Sequence, residues 1–298
     1  MSNFLKKKIF ILLFFLLIPF SSSASGDTKW IWWGDSLTAG AGGEGVTAPR
    51  ILSSLLKSEV FNAGIGGESS REISARANGT PAQLKVIKHV KSYSDKTMVY
   101  EVSSNVNILR QGQNGIKGKI DKIDATLLFD VNKKTYFLKI KKKLMLNSNL
   151  VFITQLGEIF KGSNSIIWAG RNNFFEPSQV LEDLNSMTNR IVKYNLKAKI
   201  LVLSIINGDS EGKGTLAYEG IASLNKQLQE SFGTNYFDIR SCLINKGLEY
   251  AGLKSTKSDL SDQLNDLVPT SLRSDSIHLN KSGYLAAGKC VYYEIRKG

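Results

Sequence analysis

Short apolar runs alternate with stretches of helical spacing along most of this chain, and that alternation constrains the fold more than any other feature. Lys29-Trp-Ile-Trp-Trp33 reads as a buried strand that stops at Gly34-Asp-Ser36. A Gly-rich stretch follows, then a helix over Pro49 to Lys57 with Ile51, Leu52, Leu55 and Leu56 turned inward. Val60 to Ala63 is a second strand ending in Gly64-Ile-Gly-Gly67, and Ser70 to Ala77 starts a helix. The rhythm returns with a strand at Ser165 to Ala169, a helix at Gln179 to Tyr194 and a strand at Ala198 to Ile206. A helix at Leu216 to Phe232, a strand at Tyr236 to Ile239 and a closing helix at Asn280 to Ile295 complete it. Strands alternating with helices of this length predict a parallel α/β sheet. Ligands of such sheets bind beyond the carboxyl ends of the strands, where Gly34-Asp-Ser36, Gly64 to Gly67 and Gly170 to Asn173 all fall.

Residues 96–160 break the rhythm. Thr97 to Val102 and Thr135 to Ile140 alternate, Leu127 to Val131 is joined to Thr135 by a hairpin signal at Asn132-Lys-Lys134, and Asn149 to Ile153 is one more short strand. A small β-rich insertion is expected here, with Tyr100, Phe129, Tyr136, Phe137 and Phe152 mostly in its core. The run Lys139-Ile-Lys-Lys-Lys143 reads as a solvated edge that blocks strand pairing. His89, among Lys85, Lys88 and Lys91, is expected on a helix face and carries little catalytic weight.

Residues 1–25 have the order of an export signal. Lys6, Lys7 and Lys8 precede an almost unbroken apolar run from Ile9 to Phe20, and Ser21 to Ser25 supply small residues at a cleavage point near Ala24 or Ser25. The apolar run is short for a membrane span, so an exported, periplasmic or secreted protein with no stable membrane span after cleavage is expected; an uncleaved anchor is the alternative. Losing the three lysines lowers the formal charge from +13 to +10. That excess is mostly lysine and spread along the chain; a coding bias is one reading, and if the charge is functional in an exported protein it points to an anionic envelope polysaccharide and not to nucleic acid. Cys242 and Cys290 are the only cysteines; an oxidising compartment permits a bond between them, and two buried thiols are the other reading.

Acyl transfer by a hydroxyl needs a base, a group that orients the base, and donors for the oxyanion. Asp275-Ser-Ile-His278 places a carboxylate three residues before an imidazole, within reach of its Nδ1–H. Gly34-Asp-Ser-Leu37 resembles the first block of the GDSL, or SGNH, hydrolase family. Asn62-Ala-Gly-Ile-Gly-Gly67 is similar to the second block, Gly170-Arg-Asn-Asn173 to the third, and Asp275 to His278 to the fifth, all in the family's order. Asn173 stands where the family usually has Asp, at a position that supports loop structure. Gly67 and Asn172 lie 105 positions apart, far more than the resemblance implies, and the β-rich insertion accounts for the surplus.

The resemblance implies a three-layer α/β/α sandwich with a flavodoxin-like parallel sheet, residues 26–95 and 161–298 forming the two parts of one hydrolase domain around the insertion. It implies Ser36 as nucleophile, His278 as base and Asp275 as its partner. The Ser36 and Gly67 N–H groups and the Asn172 side chain would form the oxyanion hole. Neither cofactor nor metal is called for, and a monomer is expected. The implied activity is hydrolysis of acyl esters, O-acetyl foremost, on a small molecule or a cell-envelope polysaccharide. An acyltransferase using the same triad and an inactive glycan-binding protein remain as alternatives. Three other motifs fail: Thr38 spoils G-x-S-x-G, Ser54 to Lys57 lacks a K-T-G partner, and Gly208 to Lys213 is one residue short of a P-loop.

Overall fold

The structure is a computed structural model that describes residues 29–109 and 115–297; the export signal expected over residues 1–25 lies outside them. The chain begins β1 (Trp30–Gly34), α1 (Ser36–Ala39), α2 (Ala48–Leu56), β2 (Val60–Gly64), α3 (Ser70–Arg76). Six consecutive strands follow: β3 (Ala82–Ser92), β4 (Met98–Ser104), β5 (Ile116–Ile120), β6 (Ile123–Asp130), β7 (Thr135–Ile140) and β8 (Asn149–Thr154). The chain then resumes helix–strand alternation through α4 (Gln155–Ile159), β9 (Asn164–Trp168), α5 (Pro177–Tyr194), β10 (Ile200–Leu203), α6 (Leu216–Phe232) and β11 (Tyr236–Phe237). It ends in α7 (Ile239–Ala251), α8 (Lys257–Leu264) and α9 (Lys281–Lys297).

Five strands make one sheet in the order β11-β10-β9-β1-β2, and every neighbouring pair is parallel. Numbered along the chain without the six intervening strands, this is the 2-1-3-4-5 order of flavodoxin-like sheets. The pleat of β1 explains the layers. Trp30 and Trp32 face a core shared with α2, α7 and α9, whereas Ile31 and Trp33 face a second core shared with α3, α5 and α6. The fold is therefore a three-layer α/β/α sandwich. The Cys242–Cys290 disulfide, with Cα atoms 6.2 Å apart, ties α7 to α9 in the first of these layers.

The insertion is a closed barrel of order β3-β4-β7-β6-β5-β8 with its own core, in which Tyr100, Leu127, Leu138 and Phe152 are buried. It runs from Ala82 to Thr154, so its first strand starts well before residue 96. That strand escaped the sequence pattern because only Ala82, Leu84 and Val86 of β3 are buried, and its second half is exposed and lysine-rich. His89 thus stands on β3 and not on a helix, its ring edge-on to Tyr100. Closure also removes the edge that the Lys139–Lys143 run was expected to protect, because β7 is paired on both sides, to β4 and β6.

Barrel and sandwich join where β3 begins and β8 ends. Asn78 Nδ2 donates to the Thr154 carbonyl at 3.0 Å, the Thr154 N–H donates to Asn78 Oδ1 at 2.8 Å, and Thr154 Oγ1 donates to the Arg76 carbonyl at 2.6 Å. All three bonds are buried, where an unpaired polar group is costly. No helix among the described residues is long and apolar enough to cross a membrane.

Candidate active site

Ser36 owes its position to the abrupt end of β1. Asp35 is the N-cap of α1 and accepts the Leu37 N–H on Oδ1 at 2.9 Å, so Ser36 becomes the first helical residue at the carboxyl end of the sheet. The turn is tight enough to require Gly34: a Cβ there would lie 2.1 Å from Thr38 Oγ1 and 2.5 Å from the Trp168 carbonyl. From the other end of the chain, a loop brings His278 to meet it. His278 Nε2 is 3.0 Å from Ser36 Oγ, and Nδ1 is 2.8 Å from Asp275 Oδ2.

Asp275 divides its two oxygens between jobs. Oδ1 accepts the Ile277 and His278 N–H groups at 2.8 and 2.7 Å, which locks the turn, and Oδ2 faces the imidazole. Burial alone would raise its pKa, but those two N–H groups and the imidazole outweigh it and hold the carboxyl down to about 2. Asn280 secures the next turn by donating to the Ser271 and Arg273 carbonyls at 2.9 and 3.1 Å and by accepting the Gly283 N–H.

The second and third blocks converge on the same place. A Cβ on Gly66 would lie only 3.7 Å from the Ser36 Cβ, and Gly67 has φ +74°, a backbone conformation suited to glycine. Asn172 sits in a 3-10 turn after β9. Its Nδ2 donates to the Glu68 carbonyl at 2.8 Å and lies 3.5 Å from Asp35 Oδ2, too long for a strong bond. The side-chain amide thus stands between the Ser36 turn and the glycine loop, with donor capacity in reserve. Asn173 forms a two-bond clasp with Ser70: its Oδ1 accepts the Ser70 N–H at 3.1 Å and its Nδ2 donates to Ser70 Oγ at 3.0 Å. Ser70 Oγ in turn donates to buried Asp183 at 2.7 Å, so Asn173 performs loop support without a carboxylate.

Three supporting features were not legible in the sequence. Glu68 and Arg76 form a buried pair, Arg76 Nε reaching Oε1 at 3.0 Å and Oε2 at 2.8 Å while its NH2 group donates to the Ala63 carbonyl at 2.9 Å. That pair clamps the segment carrying Gly66 and Gly67. Arg171 donates to both Glu211 oxygens at 2.9 Å; Glu211 Oε2 also accepts the Gly208 N–H, and the Asp209 N–H donates to the Ser276 carbonyl at 2.8 Å. A chain of contacts thereby joins the Asn172 turn to the His278 loop. Asp35 is the third: burial pushes its carboxyl up to about 6, against the lowering pull of the Leu37 N–H, Arg171 and His278.

Among the described residues, no cluster of three or more His, Cys, Asp and Glu side chains could hold a metal ion. Two cavities, of about 840 and 300 Å³, are lined by the barrel and α4 rather than by the triad. Ser36, Gly67, Asn172, Asp275 and His278 all lie on the segments that meet around Ser36, and the three triad side chains are in direct contact. Residue types and chain order there are those of the GDSL/SGNH pattern.

No family model matches the chain. It is 21% identical over 248 residues to a tail spike protein of Salmonella phage epsilon15, a match covering 76% of this chain and 22% of that protein, so the chain spans about a fifth of the length of this relative. Among solved structures it is similar to a member of the lipolytic G-D-S-L family from Veillonella parvula, at 12% identity and TM-score 0.47 over 90% of this chain and 96% of that one. An acetyl-xylooligosaccharide esterase from Geobacillus Stearmophilus gives 11% identity and TM-score 0.46 over 90% and 94%. A peptidoglycan O-acetylesterase gives 12% and 0.39 over 92% of each chain. These likenesses are distant.

Proposed function

We propose that this protein is an exported serine esterase that removes acyl groups, O-acetyl foremost, from a carbohydrate. One observation carries the reading: Asp275 Oδ2, the His278 imidazole and Ser36 Oγ form a continuous line of contacts at 2.8 and 3.0 Å. In the first half-reaction, Ser36 Oγ attacks the ester carbonyl carbon as its proton passes to His278 Nε2. Asp275, held ionised, keeps Nδ1 protonated and stabilises the imidazolium. The Ser36 and Gly67 N–H groups and the Asn172 amide receive the oxyanion. Collapse breaks the C–O bond, His278 returns the proton to the departing sugar oxygen, and the acyl group stays on Ser36. Water, deprotonated by His278, then releases the acid by the same steps in reverse.

Hydrolysis is favoured over transfer to a second sugar because the His278 and Asp275 side chains are 26% and 53% exposed, and water reaches an open imidazole readily. Export is supported by the sequence of residues 1–25 and by the Cys242–Cys290 bond, which suits an oxidising compartment. The test is hydrolysis of p-nitrophenyl acetate, longer acyl homologues and acetylated xylan by wild type and Ser36→Ala. Wild type should cleave acetate best, and the variant should lose roughly 10⁴-fold or more in kcat. Equal inactivity of both proteins on every ester overturns the reading, and a product ester formed only when a sugar acceptor is present replaces it with the transferase.

A further inference from the structure

We propose that the outer face of barrel strands β5, β6 and β7, where it meets α4, is a binding site for an anionic saccharide segment. The larger cavity, about 840 Å³, lies there, a volume within the roughly 300–1,000 Å³ of ordinary ligand clefts. Four lysines line it: Lys117 and Lys119 from β5, Lys139 from β7, and Lys141 just beyond. Register fixes their layout. Lys117 lies opposite Thr126, which lies opposite Lys139, so two cations flank a threonine across three strands, about 10 Å apart by strand spacing.

The strand lysines lie on the outward pleat of the barrel, and edge protection is not what places them there. Lysines guard free edges, but β5 is paired to β6 and β8, and β7 to β4 and β6. Nor are all four neutralised. Lys119 approaches Asp124 at 3.8 Å and Lys141 approaches Asp95 at 3.3 Å. Among the described residues no carboxylate lies within ion-pair distance of Lys117 or Lys139; the latter has only the Tyr93 ring, 5.8 Å away. Glu158 on the α4 side is already engaged by Lys161 and Arg190. The concavity therefore presents uncompensated positive charge to whatever enters it.

The rest of the lining selects the class of anion. Thr97, Thr126 and Gln155 offer neutral hydroxyl and amide partners suited to sugar hydroxyls. Among the described residues no aromatic ring lines the cavity, so a single-stranded nucleic acid would lack the stacking surface on which its affinity depends. Binding here uses no triad residue. Where the proposed ester sits on the same polymer, capture by the barrel would raise its effective concentration at Ser36; that consequence rests on the esterase reading, whereas the site does not.

The test titrates the full-length protein, at low and high salt, with hexameric oligogalacturonate, cellohexaose and hexathymidylate. Oligogalacturonate should bind, salt should weaken it, and the other two should not compete. Lys117→Gln/Lys139→Gln should weaken binding roughly tenfold, as expected for the loss of two screened charge contacts. Lys117→Arg/Lys139→Arg should keep it, as should Lys193→Gln/Lys226→Gln on the helices. p-Nitrophenyl acetate hydrolysis, measured in parallel, should be the same in all these variants. Absence of oligogalacturonate binding, equal affinity for cellohexaose or hexathymidylate, or an unchanged glutamine variant each overturns the site whether or not the esterase is active.

Discussion

Asp35 and Asp275 are two carboxylates beside one serine whose ionisation the fold drives in opposite directions. Asp35 is buried, and its carboxyl rises to about 6. A raised carboxylate contributes its stability below the unfolded value near 4 and loses it as pH climbs through about 6. The shift corresponds to something on the order of 3 kcal/mol. Urea melts at pH 4, 5, 6 and 7 should therefore show wild type losing stability across that window, while Asp35→Asn stays nearly flat. An equal slope in both proteins would exclude Asp35 as its source. Asp275, held at about 2, contributes above the unfolded value near 4 and loses that contribution as pH falls through 2; its side chain is half exposed, so the effect on stability is small. In the proposed mechanism its weight is in catalysis. Asp275→Asn should cut kcat about 10⁴-fold through the wrong imidazole tautomer, and Asn172→Ala about 10²–10³-fold through one lost oxyanion donor. In both variants steady-state kinetics should show KM nearly unchanged.

At the scale of elements, long-range ties hold the site-bearing loops and the helical layer. The Cys242–Cys290 bond spans 48 positions between α7 and α9, and by loop entropy its removal costs about 2–4 kcal/mol. Denaturation of Cys242→Ala/Cys290→Ala should show that loss, with esterase activity at low temperature retained. Breaking the buried Glu68–Arg76 pair is harsher. Glu68→Ala leaves the Arg76 guanidinium buried beneath the glycine loop without this carboxylate, a cost of about 3–5 kcal/mol, read in the same melts. The disulfide was one of two readings of the cysteines, whereas the Glu68–Arg76 pair was not visible in sequence, since a Glu and an Arg eight positions apart have no signature. What was visible came from strong local patterns. Trp30 to Trp33 could only be a buried strand, the apolar spacing of α6 gave its ends at Leu216 and Phe232, and Asp275 to His278 is a turn whose chemistry is contiguous. Signals failed where exposure hid them. Ile116-Lys-Gly-Lys-Ile120 forms β5, but a short strand centred on glycine between lysines reads as loop. Lysines on β3 made a strand resemble a helix face.

For the whole molecule, the barrel is an added body with its own core, joined to the sandwich at Asn78 and Thr154. Replacing residues 82–153 with a short Gly/Ser linker keeps Thr154 in place, and the triad lies wholly outside the deletion. The shortened protein should hydrolyse p-nitrophenyl acetate at near wild-type rate and lose oligogalacturonate binding. Loss of both, with an unfolded far-ultraviolet spectrum, would show instead that the sandwich depends on the barrel to fold. The joint also bears on how the chain finds its native state. β1 must pair with β9, Trp30 opposite Asn164, across a stretch of sequence long enough to slow any search for that contact. β3 and β8 are neighbours in the barrel, Ala82 opposite Phe152. Once the barrel has closed on the growing chain, the ends of the barrel segment are side by side, and the loop between β1 and β9 shrinks to the 47 residues between Gly34 and Ala82 plus the 9 between Thr154 and Asn164. A segment that looks like an interruption of the sheet thus acts, in time, as the shortcut by which its central strands meet.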